Sequence, residues 1–403
     1  MKPGKGLLSV DEALAQLLAA AKPVAEVEQV PTLEAAGRVL AAPQRSTMDV
    51  PPMDNSAMDG YALRLSDLSA SHMKLKVKQK IMAGSIGQPL EPGTAARIFT
   101  GAPIPAGADA VVMQEDCEAS GDDVVVKKAP KKGEWIRLRG SDVKQGGEIL
   151  AAGKRLQPQD TGLAASVGIQ SLPVFRRVRV GLFFTGDELV MPGEPLAPGR
   201  IYNSNRFTLR GLVQAYGCEI TDYGIVPDNL EATRAVLRRA AAECDVVVTS
   251  GGVSVGDADF VKPAVEAEGS LLMWRIAMKP GRPLAFGAIG RSYFIGLPGN
   301  PVSSFVTFLI FVRPFLLRRQ GISDAAPRFV LARADFAWKE PDPRREFLRV
   351  KWNAQGGLDL YPTQDSAVLT STSWADGLVD NPAKNVIAKG DLVRFLPYSE
   401  LYR

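Results

Sequence analysis

The stretch DVVVTSGGVSVGDADF, residues 245–260, decides how the centre of this chain is built. A short β-branched run closes on Thr249, Ser250 and two glycines, and a polar loop then runs to Asp259 before the next helical pattern. Such a run, stopped abruptly by glycine, reads as a buried strand that ends in a loop and feeds a helix. The same unit recurs upstream. VRVGLFFT (178–185) leads to a helix bearing Leu209, Leu212, Val213 and Tyr216, stopped by Gly217. EITDYGIV (219–226) leads to a helix beginning after Asp228. This alternation, from about residue 178 to 321, predicts an α/β domain with a mostly parallel sheet covered by helices on both faces.

The runs end in unusual loops: TGDEL (185–189), VPDN (226–229) and TSGGVSVGDADF (249–260), with MKPGRP (278–283) and GLPGNP (296–301) after later runs. Ligands of open α/β sheets bind outside the carboxyl ends of the strands, so these loops predict one shared site. Ser250, Gly251, Gly252 and Ser254 offer amides and hydroxyls to an anion. Glu188, Asp228, Asp257 and Asp259 offer the hard oxygen ligands that suit Mg²⁺. Lys279 and Arg282 can neutralise an oxyanion or a phosphate. Asp228 and Asp259 can equally be read as N-caps of the helices that follow them. Together the parts could make or break a phosphoanhydride by positioning and charge neutralisation.

Working outward, 403 residues are too many for one core and imply several domains. The N-terminus opens with a helix, capped by Ser9 and Glu12 and striped with Val10, Ala13, Leu14, Leu17, Leu18 and Ala21. From 51 to 140, short runs such as KLKVKQKI and DVVVKKA between Gly and Pro clusters predict a β-rich domain. Residues 141–177, with a short helix over 160–167, are expected to pack with residues 1–50 as a composite linker domain. The α/β domain spans 178–326. Residues 327–403, with FVLARADFAW, EFLRVKWN and DLVRFLPY, predict a C-terminal β-domain of barrel or sandwich type.

A net charge of +4 with no basic, aromatic-laced stripe argues against a nucleic-acid partner. Three cysteines, Cys117, Cys218 and Cys244, lie too far apart for a zinc or redox motif and suit a reducing compartment. The start of the chain lacks the apolar run of a signal peptide, and the most apolar segment, 305–312, is short and closed by Arg313 and Pro314. The expectation is a cytoplasmic protein with no membrane partner. The single histidine, His72, stands among lysines and reads as a surface residue, so His-rich zinc sites are excluded.

Through TGDEL, GRIYNSN (199–205), TSGGVSVGDADF, MKPGRPLAFG and GLPGNPVSSF the domain resembles the molybdopterin molybdenumtransferases, a family that includes bacterial MoeA proteins and the C-terminal part of gephyrin. PPMDNSAMDGYAL (51–63), TGAPIPAGADAVVMQED (100–116) and GSDVKQGGEIL (140–150) resemble its N-terminal signatures, and REFLRV (345–350) and LTSTSWADGLV (369–379) are similar to its last domain. The resemblance implies insertion of molybdate into adenylylated molybdopterin, with Mg²⁺-dependent loss of AMP. It implies a homodimer whose site is shared between protomers, and contact with other cofactor-biosynthesis proteins. By motif, Glu188, Asp228 and Asp259 would serve the metal, and Asp59, Thr100 and Asp142 would complete the catalytic set with Lys279. Arg282, Pro283, Pro298, Asn300, Pro301, Arg349 and Ser371 would hold substrate. Two positions depart from the family pattern. Arg282 stands where Lys is frequent, and QDSAVLTS lacks the usual glycine, leaving Thr370, Ser371 and Ser373 as candidates, with Ser371 taken. The competing readings are a molybdopterin adenylyltransferase, for which the flanking domains would be superfluous, and a non-catalytic pterin-binding scaffold, for which the carboxylate cluster would be.

Overall fold

The structure is a computed structural model that describes residues 7–253, 260–340 and 342–402. Its contacts divide the chain into two compact units, one of Met1–Glu28, Gly37–Ala41 and Val174–Arg403, the other of Gln29–Ala36 and Ala42–Pro173.

The first unit begins with helix α1 (Val10–Ala20), which closes the expected capping box. Ser9 Oγ accepts from the Glu12 amide at 3.2 Å and the Glu12 carboxylate accepts from the Ser9 amide at 2.8 Å. Val10, Ala13 and Leu17 are buried. The α/β part follows as β1 (Arg179–Thr185), α2 (Ser204–Ala215), β2 (Glu219–Val226), α3 (Leu230–Glu243), β3 (Val246–Ser250), α4 (Val261–Glu268), β4 (Ser270–Arg275), β5 (Pro283–Ile289) and β6 (Ser292–Leu297). The sheet order is β2-β1-β3-β6-β5-β4. The first four strands are parallel, β5 alone runs against them, and β4, antiparallel to β5, runs with the first four again. Only Gly290 and Arg291 separate β5 from β6, with Gly290 at φ 57°, and a two-residue turn cannot make a parallel crossover.

All five β3 residues are buried, as befits a strand covered on both faces. Val180, Leu182, Phe184, Val246 and Val248 face α1, α2 and the later helix α5 (Pro301–Arg319). Phe183 and Val247 face α3 and α4. Helix α5 (Pro301–Arg319) runs further than the expected break at Arg313 and Pro314. The Arg313 amide bonds Phe308 O, five residues back, and this wider turn accommodates a proline that has no amide of its own. By length and composition α5 could cross a bilayer, but 89% of its apolar window is buried in the protein. It is a core helix.

The C-terminal part of this unit adds the strands β7 (Val330–Arg333), β8 (Arg345–Trp352), β9 (Leu358–Leu360), β10 (Gly377–Asn381) and β11 (Leu392–Pro397). They form a six-stranded sheet in which Met278–Lys279 pairs parallel to β8, followed by β10, β11 and β7, while β9 adds to β8. Lys279 thus stands opposite Glu346.

The second unit is β-rich, as expected. Its six-stranded sheet runs Ala110–Met113, Gly60–Leu63, Thr94–Ile98, Lys74–Ile81, Asp123–Val126, Cys117–Ser120. In KLKVKQKI, Leu75 and Ile81 are buried while the lysines lean outward. The helix expected over 160–167 is Pro158–Ser166. His72 is exposed in a turn with Ser69.

Candidate active site

The loops at the carboxyl ends of β1, β2, β3 and β6 meet around a cleft of 1160 Å³. Because β5 runs against β6, its first residue Pro283 lies at this same end, paired with Arg275, and the KPGRP loop joins the cleft from the antiparallel edge. The acidic side carries Glu188, from the turn after β1, and Asp228, two residues beyond β2. The Asp228 carboxylate accepts from the Asp187 amide at 3.0 Å, tying the two loops together. Asp228 is not a cap: that position belongs to Asn229, whose side chain accepts from the Ala232 amide at 2.8 Å.

Ser250, Gly251 and Gly252 form the floor. Gly252 has φ 64° and lies so close to Val261 and Thr185 that a Cβ would stand 2.6 Å and 2.9 Å from them, so only glycine lets the chain pass. Asn205 braces this floor, donating to Ser250 Oγ at 2.9 Å and to Gly299 O at 2.7 Å. Pro298, Asn300 and Pro301 line the cleft at the start of α5.

The basic side carries Lys279, Arg282 and Arg344, with Pro283 beside them. Lys279 Nζ is held by Asp342 at 3.4 Å and by the buried Glu346 at 3.3 Å. Arg344 forks onto Asp342, with both bonds at 2.9 Å, and holds that carboxyl well below the usual range. The cleft therefore sets carboxylates against fixed cations, as an arrangement for a metal-bridged anionic substrate requires.

Three family models cover the chain. They are the MoeA N-terminal region (domain I and II) over residues 8–168, a probable molybdopterin binding domain over 181–318, and the MoeA C-terminal region (domain IV) over 331–398. The molybdopterin molybdenumtransferase of Haemophilus influenzae is 44% identical over 359 residues, covering 88% of this chain and 89% of its own. That of Nostoc is 41% identical, over 77% of this chain and 73% of its own. The solved molybdopterin biosynthesis MoeA protein of Pyrococcus horikoshii OT3 is 30% identical with a TM-score of 0.85, covering 98% of this chain and 100% of that one. The chain belongs to the molybdopterin molybdenumtransferase family.

Not every residue implied by the family motifs lies on the cleft. Arg349 and Ser371 meet one another, with Arg349 Nε donating to Ser371 Oγ at 3.2 Å, but both are buried behind it. The segment Gln364–Leu369 lines the cleft in front of them. Gln364 Oε1 accepts from the Arg349 amide at 2.8 Å, and Asp365 O accepts from its guanidinium at 3.0 Å. Asn300 Nδ2 and the Val302 amide anchor this segment through Ser366. Arg349 makes no ion pair among the described residues, and burial draws its pKa down to about 10. It remains a cation at neutral pH, inside the fold, hydrogen-bonded only to neutral groups.

Asp59, Thr100 and Asp142 belong to the second unit. Asp59 Oδ1 accepts from both the amide and the hydroxyl of Thr100 at 2.8 Å, and these bonds hold its carboxyl below the ordinary range. Asp142 is exposed in the turn that bonds back to Val50. Ser254, Asp257 and Asp259 lie outside the described residues.

Sequence reasoning overlooked Asn203, which lines the cleft, together with Asn205 and Arg344. The first two sit inside the GRIYNSN motif, and Arg344 directly precedes REFLRV, so the motifs held the signal. What single residues face could not be read from them.

Proposed function

We propose that this chain inserts molybdate into adenylylated molybdopterin, releasing AMP in a Mg²⁺-dependent step, within the cytoplasm and as a homodimer. The observation that carries this reading is the buried Arg349 guanidinium, which makes no ion pair among the described residues, directly behind a cleft walled by carboxylates and cations. A desolvated, uncompensated cation next to a substrate cleft is a place where a tetrahedral dianion is stabilised on binding.

Among the described residues no group of three candidate ligands closes on one point. Glu188 and Asp228 are nevertheless oxygen donors without nitrogen or sulfur beside them, a set that fits a hard cation such as Mg²⁺, and Asp259 is taken as their third member. When bound there, the metal would neutralise charge on the phosphoanhydride oxygens. The protein groups do the rest. Gly251, Gly252 and Ser250 offer close backbone and hydroxyl contacts to phosphate. Lys279 and Arg282 oppose the negative charge of molybdate and pterin phosphate. Water adds to one phosphorus of the phosphoanhydride, so that AMP leaves and the pterin keeps its own phosphate, while the two pterin thiols displace one molybdate oxygen as water with no change in the oxidation state of molybdenum. The same reading keeps four domains, 1–50 with 141–177, 51–140, 178–326 and 327–403, and receives its substrate from an adenylylating enzyme of the same biosynthesis.

Asp59, Thr100 and Asp142 are assigned to the site of the partner protomer. A heterodimer of Asp59→Ala and Asp228→Ala chains is then expected to recover about half of the wild-type rate of molybdate-dependent AMP release, because one of its two sites holds neither substitution. Each homodimeric variant should be nearly inactive. No recovery in a verified heterodimer would contradict the shared site.

A further inference from the structure

A hydroxyl that serves no structural bond lies on the same buried face as Arg349. Tyr398, immediately after β11, is only 9% exposed, and its hydroxyl has no hydrogen-bond partner among the described residues. Arg349, Leu378 and Leu396 are cross-strand neighbours on β8, β10 and β11, so their side chains leave the sheet on one side. Tyr398 follows Leu396 by two residues and packs in the same apolar cluster as Phe347, Leu378 and Leu396. Its ring is fixed edge-on against Phe305 of α5, with centroids 5.5 Å apart.

A buried hydroxyl without a partner is destabilising, and phenylalanine would fill the same space without that penalty. Arg349 has the matching defect, a buried charge whose bonds reach only Ser371 Oγ and the carbonyls of Phe347 and Asp365. The two groups also feel one another electrostatically, and burial pushes the Tyr398 hydroxyl up, so that it stays protonated and able to donate. Two desolvated donors on one face are both satisfied by a single acceptor-only guest with oxygens pointing in several directions. A tetrahedral dianion is such a guest.

Resting on the reading that Arg349 and Ser371 hold molybdate, we propose that Tyr398 is a further oxyanion-binding residue, whose hydroxyl donates to the bound dianion beside Arg349. The segment Gln364–Leu369, which lines the cleft and bonds to Arg349, is the part that must shift to admit it.

The test uses the full-length wild-type chain with Tyr398→Phe and Arg349→Met variants, measuring molybdate binding by calorimetry and the molybdate KM for AMP release. Tyr398→Phe is expected to weaken molybdate binding and raise the molybdate KM by about tenfold, with kcat at saturating molybdate little changed. Its thermal stability should equal or exceed that of wild type, a result a packing role would not give. Arg349→Met should abolish binding. If Tyr398→Phe binds molybdate as wild type does while Arg349→Met does not, the Tyr398 proposal is overturned and Arg349 keeps its role. That is also the outcome if an ordered water is the hydroxyl's true partner. If Arg349→Met also binds normally, or wild type shows no molybdate dependence, the underlying reading fails with it.

Discussion

Replacing Asp228 with asparagine is expected to lower the rate of molybdenum insertion by about 10²–10³-fold while leaving the fold intact. The side chain does two separable things. As an acceptor, it takes the Asp187 amide at 3.0 Å and ties the loop after β1 to the loop after β2. As an anion, it faces the cleft across from Lys279, Arg282 and Arg344. Asparagine retains an acceptor oxygen at the same reach, so the tie survives and stability should stay within about 0.5 kcal/mol. It cannot supply the negative charge that the proposed mechanism asks of this position. Asp187→Asn is the control, since Asp187 adjoins the same tie but does not line the cleft. Its rate should remain near that of wild type. Equal losses in both variants would mean that loop geometry, not charge, is what Asp228 contributes.

The largest effect on stability is expected far from the cleft, at Asp245. Its carboxylate accepts both guanidinium arms of Arg176, at 2.7 and 2.9 Å, and the Arg179 amide at 2.8 Å, and Arg319 at the end of α5 approaches to 3.9 Å. Arg319 in turn donates to Lys22 O beyond α1. One carboxylate therefore joins the segment entering β1, the start of β3 and the end of the core helix. Asp245→Ala leaves Arg176 with Glu26 alone, at 3.2 Å, and removes the carboxylate nearest Arg319, and a loss of about 3 kcal/mol in urea unfolding follows. The pH dependence has a definite sign. Burial alone would raise the Asp245 pKa, but the Arg176 bonds and the Arg179 amide outweigh it, and the folded value is depressed. The contribution is thus complete above the unfolded carboxyl value of about 3.9 and is lost as pH falls through the lower folded one. Wild type and Asp245→Ala should converge in stability only under that acid condition. A variant with an unchanged urea midpoint at pH 7 would show the network to be solvated and of little weight.

Local chemistry made much of this legible in the sequence. The Ser9–Glu12 cap, the stripe of Leu209, Leu212, Val213 and Tyr216, and the abrupt glycine stop after Ser250 each act within a few residues, and each is found as expected. The gathering of Glu188, Asp228, Ser250 and the KPGRP loop followed from strand-end geometry alone. What escaped depended on longer reach. The reversal of β5 turns on the brevity of the Gly290–Arg291 connection, and the extension of α5 past Pro314 on a wider turn five residues long. Arg349 could be matched by motif, but its burial with no ion pair among the described residues is a property of tertiary packing. The same is true of Arg344, whose place at the cleft depends on its fork with Asp342.

The most direct test measures AMP released against molybdenum bound to the pterin, with purified wild-type chain, adenylylated molybdopterin, Mg²⁺ and increasing molybdate. The account predicts one AMP per molybdenum inserted, saturating with molybdate and stopping when Mg²⁺ is chelated. AMP release that is indifferent to molybdate, or molybdenum uptake without AMP release, would contradict it.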